Sequence, residues 1–128
     1  MDIEPIVRKV LSNAIENGAK RGQVRNHEYQ LVLYPKNSRE VGVIGLIKSK
    51  AVAQYKLGDL LGYAYSMMSG IINDFIFKAL VRLSKENDIS ENNCKAFIMF
   101  NEKSELSIWV YNGENRVKEI QVKDIING

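Results

Sequence analysis

The stretch KAFIMFNEKSELSIWVYNGENRVKEIQVK, Lys95 to Lys123, decides the fold. Apolar residues alternate at period two over residues 95–100, 105–111 and 116–123, the pattern of half-buried strands. Asn101-Glu102-Lys103-Ser104 separates the first two strands, and Asn112-Gly113, a strong short hairpin signal, separates the second two. The stretch therefore reads as a three-stranded antiparallel meander. In its middle strand Leu106, Ile108 and Val110 share one face, while Ser107, Trp109 and Tyr111 share the other. The aliphatic face is expected to meet helices, which leaves Trp109 and Tyr111 on the more open face.

Working outward, residues 57–83 keep helical spacing through Leu57, Leu60, Leu61, Ala64, Met68, Ile71, Ile72, Phe75, Ala79, Leu80 and Leu83, and predict a long central helix. Ala51, Val52 and Ala53 are compatible with an earlier start, and the polar residues 84–93 read as a loop. At the N-terminus Ile3, Ile6, Val7, Val10, Leu11 and Ala14 predict an amphipathic helix, with Asp2 to cap it, Pro5 in its first turn and Asn17-Gly18 to stop it. Residues 29–34 and 41–47 are rich in β-branched, aromatic and large aliphatic side chains around the turn Pro35-Lys36-Asn37-Ser38, which predicts a hairpin. The second of these strands is apolar on both faces apart from Gly42 and Gly45, as for a strand covered on both sides, with glycines where another backbone comes close. The expected fold is α+β: a single domain over residues 1–128 in the order α-β-β-α-β-β-β, its antiparallel sheet packed against a long central helix and an N-terminal helix. No internal repeat or linker is visible. This order is similar to the profilin-like and roadblock-type arrangement, a likeness of topology alone, and it implies a middle helix that mediates dimerisation.

Several function classes drop out early. The most apolar segment is broken by Asp59, Asn73, Asp74, Lys78 and Arg82, so a membrane span is not expected. Asp2, Glu4 and Pro5 stand where a secretory leader would carry its basic region, which makes the cytoplasm the expected compartment. Cys94 is the single cysteine and His27 the single histidine, too few soft ligands for a zinc site; no metal and no cofactor are expected. A catalytic role for Cys94 with His27 has no supporting signature. Asp59 and Asp74 are too far apart along a helix to act as a carboxylate pair, and Glu86, Asp88 and Glu91 read as a solvated loop. No catalytic residue is assigned, and the chain is read as a non-enzyme.

Charge is regional. Residues 17–56 contain eight basic residues (Lys20, Arg21, Arg25, Lys36, Arg39, Lys48, Lys50 and Lys56) against Glu28 and Glu40, a balance of +6 within a chain of net +3. The leading expectation is an oligomeric binding protein that holds an anionic ligand, a nucleotide or a nucleic acid, on a basic rim made of Lys20, Arg21, Arg25, His27, Lys36 and Arg39. The alternative is a regulatory or inhibitory protein-interaction module. It would dock through Trp109 and Tyr111 on the sheet and through Gly58, Gly62, Ser66 and Gly70, small residues spaced by four along the central helix, which also suit a homo-oligomer contact.

Overall fold

The structure, a computed structural model, describes residues 2–61 and 65–126. Helix α1 (Glu4–Arg21) begins where the Asp2 carboxylate accepts the Glu4 N–H at 3.2 Å. It leads into the meander β1 (Tyr29–Lys36), β2 (Glu40–Ile47) and β3 (Lys50–Lys56). Helix α2 (Ser69–Glu86) is followed by a second meander, β4 (Cys94–Phe100), β5 (Leu106–Asn112) and β6 (Asn115–Ile120), and by the short helix α3 (Val122–Ile126). All six strands form one antiparallel sheet in the order β3-β2-β1-β4-β5-β6. The chain thus runs twice through a helix and a three-stranded meander, and the two meanders join through their first strands, with Val32 opposite Phe97.

The α+β class, the N-terminal helix and the C-terminal meander are those read from the sequence, with differences that have local causes. Strand β3 is additional. Lys48 and Ser49 both have positive φ (52° and 65°), so a two-residue turn of the kind usually made by Asn-Gly connects β2 to β3 without that signature. The central helix is shorter than residues 57–83. Leu57–Leu60 and Ser66–Met68 are 3₁₀ turns, the first closed by the Asp59 carboxylate accepting the Lys56 N–H at 3.0 Å, and helix α2 starts at Ser69. At its other end α2 passes Leu83 and stops with Asp88 in the left-handed conformation (φ 55°), where the Ile89 N–H reaches the Ser84 carbonyl at 2.7 Å. Strand β6 ends at Ile120 because the Asp124 carboxylate accepts the Gln121 N–H at 2.8 Å and starts α3.

Helix α1 does not stop at Asn17-Gly18. Gly18 is a buried position within it, placed against the ring of Tyr29. Tyr29 is fully buried, and its ring also lies over Gly45 of β2, while its hydroxyl pairs with that of Tyr55 on β3 at 3.1 Å. A Cβ at Gly18 would collide with the ring and one at Gly45 with the hydroxyl, so the two glycines form a slot for one side chain. Around it, Val7, Leu11 and Ile15 of α1, Ile72, Ile76 and Leu80 of α2, and Val122 and Ile125 of α3 share a core with Leu31, Leu33, Val41, Val43, Ala96, Ile98, Ile108 and Val110. Every described α-helix therefore packs on the same face of the sheet.

Two glycine substitutions should separate packing from helix propensity. Alanine favours a helix over glycine by about 1 kcal/mol, but Gly18→Ala should destabilise by roughly 1–3 kcal/mol, because overpacking against Tyr29 outweighs propensity. Gly70→Ala, where nothing lies within 4 Å of a Cβ, should be neutral or stabilising in dilute protein. Urea unfolding of both variants would check that only Gly18→Ala destabilises.

Candidate functional site

Alternation along the strands sends a second set of residues away from the helices. On β1 these are Gln30, Val32 and Tyr34; on β2 Gly42, Ile44 and Leu46; on β4 Lys95, Phe97 and Met99; on β5 Ser107, Trp109 and Tyr111. Among the described residues no helix packs on this face. Val32, flanked by its register partners Ile44 and Phe97, is nonetheless only 3% exposed, while Ile44, Leu46, Phe97, Met99, Trp109 and Tyr111 remain half-exposed. Strand β2 is thus covered by helices on one side only. Its glycines meet rings rather than another backbone: Gly42 lies beneath Tyr34 and Gly45 beneath Tyr29.

The open face is ordered by contacts between its own side chains. The rings of Phe97 and Tyr111 are 4.1 Å apart between centroids and tilted by 31°. The Arg116 guanidinium stacks on Trp109 at 4.2 Å from the ring centroid, and its Nε donates to the Tyr111 hydroxyl at 3.3 Å. Beside them the Ser107 hydroxyl donates to the Glu119 carboxylate at 2.8 Å, and the Gln54 amide donates to the Tyr34 hydroxyl at 3.2 Å. Aromatic and aliphatic side chains of four strands therefore form one surface, pre-ordered and edged by polar groups. Trp109 and Tyr111 are its members named from the sequence. Val32, Tyr34, Ile44, Leu46, Phe97, Met99 and Arg116 were missed, although the two-faced apolar character of residues 41–47 carried the signal for Ile44 and Leu46.

The six basic-rim residues do not converge. Tyr29 pairs with Ile47 and Lys36 with Glu40, so the two ends of β1 are opposite ends of the sheet. Lys20, Arg21, Arg25 and His27 precede β1 at one end, while Lys36 and Arg39 follow it at the other, about 23 Å away along the strand. Lys48 and Lys50 fall at the first end, in the β2–β3 turn. His27 lines a cleft of about 750 Å³ with Glu16, Asn26, Phe100, Asn101, Glu102 and Ser104, a lining with two carboxylates and no lysine or arginine among the described residues.

The small-residue series is likewise divided. Gly58 and Ser66 lie in separate 3₁₀ turns, Gly70 lies in the first turn of α2, and Gly62 lies outside the described residues, so no single helix carries the expected ridge. Gly70 faces open space, next to Met67, Ile71 and Phe75, which are 97%, 52% and 39% exposed and follow one another at spacing four.

Cys94 is buried at the start of β4, its thiol 3.6 Å from the Leu80 carbonyl and pushed up to about 11 by burial. His27 is at the opposite end of the sheet, so the two do not meet. Burial and the hydrogen bond to Tyr55 also raise the Tyr29 phenol above its ordinary range. No group of three His, Cys, Asp or Glu side chains among the described residues could hold a metal ion. No described helix is long and apolar enough to cross a membrane. Comparisons with protein-family models, with curated proteins and with solved structures found no match.

Proposed function

We propose that the chain is a non-enzymatic interaction domain that docks a partner protein on the open face of its sheet. The observation that carries this reading is the one-sided helical cover, which leaves Ile44, Leu46, Phe97, Met99, Trp109 and Tyr111 as one half-exposed apolar surface. Tyr and Trp suit such a surface, since they bury large areas with few rotatable bonds, and Arg116 on Trp109 adds a third residue type common at binding hot spots. Anion binding on the six-residue rim has less support, because Lys36 and Arg39 stand at the opposite end of the sheet from Lys20, Arg21 and Arg25.

Affinity purification of the tagged chain from its host cells tests this reading. The partner should stay bound in high salt, should be lost from a Trp109→Ala, Phe97→Ala variant, and should be retained by an Arg21→Glu, Arg25→Glu variant. Nucleic acid recovered with the wild type and released by the Arg21, Arg25 reversal, with no effect of the sheet substitutions, would favour the anionic ligand instead.

A second reading, self-association through the start of α2, is supported by the exposed series Met67, Ile71 and Phe75. Light scattering should then give twice the single-chain mass for the wild type and the single-chain mass for Ile71→Asp. A wild type that is monomeric at high concentration would contradict it.

A further inference from the structure

We propose that the groove between the β1–β2 turn and the C-terminal half of α2 is a second docking site, one that takes an acidic peptide segment carrying an apolar anchor residue. The groove is open, has a volume of about 390 Å³ and is lined by Arg39, Phe77, Lys78, Val81, Arg82, Lys85 and Glu86. That volume lies within the usual range of ligand pockets and suits one or two side chains.

Its charges sort themselves by pairing. Arg82 donates to the backbone carbonyl of Asp124 and holds the Glu86 carboxylate at 3.5 Å, so the single acid on the rim is already matched. Arg39, Lys78 and Lys85 are exposed and form no ion pair among the described residues. Between them Phe77 and Val81 are partly exposed. Three unmatched cations around an apolar floor are complementary to carboxylates flanking a hydrophobic side chain. A nucleic-acid backbone would satisfy the cations but leave Phe77 and Val81 uncovered.

The position of Arg39 is a further independent sign. Its φ of 62° places a non-glycine residue in the left-handed region, where strain is tolerated only if the surroundings fix it. Asn73 of α2 does so: its amide donates to the Arg39 carbonyl at 2.9 Å, and its side-chain oxygen accepts the Val41 N–H at 2.9 Å. One turn before Phe77, this side chain clamps the hairpin turn to the helix and holds Arg39 beside the groove.

Selection of short peptides from a random displayed library against the purified chain tests the proposal. Sequences combining Asp or Glu with a large apolar residue should be enriched. Their affinity should fall roughly tenfold or more for Lys78→Glu with Lys85→Glu. Arg39→Gly should also weaken binding while melting no lower than wild type, since glycine relieves the strained φ. Trp109→Ala should leave the affinity unchanged, which separates this site from the sheet face. The proposal is overturned if no acidic and apolar sequences are enriched, or if the lysine reversal leaves binding intact. Equal affinity for polyaspartate or for a single-stranded oligonucleotide would also overturn it, since the apolar floor would then contribute nothing.

Discussion

The burial of one tyrosine ring between two glycines sets the geometry of half the molecule. Tyr29 enters the sheet at the start of β1, and its ring fills the space where side chains on Gly18 and Gly45 would otherwise stand. Helix α1 can approach the sheet closely there only because position 18 has no side chain. The Tyr55 partner then ties the edge strand β3 into the same cluster through a hydroxyl pair at 3.1 Å. A buried phenol without a partner would be costly, so this pair both satisfies Tyr29 and gives β3 a reason to stay registered on β2.

The second constraint is the economy of helical cover. Among the described residues, two long helices and one short helix contribute to a single core on one side of six strands, and each meander supplies three strands to a continuous sheet. Covering the other face would take a further layer that the described chain does not provide. That face instead orders itself, through the Phe97 and Tyr111 rings, the Arg116 stack on Trp109 and the burial of Val32 between its register partners Ile44 and Phe97. A surface held in this way presents apolar area with little conformational freedom left to lose on binding, which favours association.

Much of the fold was legible because its signals are local. Alternation in residues 95–120 and the periodicity of residues 3–14 need no tertiary knowledge to interpret. The two-residue turn at Lys48-Ser49 was not legible, since neither residue is usual at positive φ, and β3 was lost with it. Gly18 was misread as a helix stop because the demand on it comes from Tyr29, eleven positions later and in another element. Spacing by four also made residues 57–83 look like one helix, whereas the capping carboxylate of Asp59 and the 3₁₀ turns divide the segment. The open face was seen through Trp109 and Tyr111 alone, because its full extent depends on β1 pairing with β4, a contact across more than sixty residues. The same long-range order separated Lys36 and Arg39 from the other basic residues, and Arg39 joined Lys78 and Lys85 instead.

The central claim is that the helix-free face of the sheet is covered by another protein when the chain is at work. Hydroxyl-radical footprinting of the purified chain and of the same chain in its native cell extract measures this directly, residue by residue. Oxidation of Phe97, Met99, Trp109 and Tyr111 should fall together in the extract, while Val117, exposed in a β6 bulge, keeps its rate. Equal oxidation of those four side chains in both samples would contradict the account.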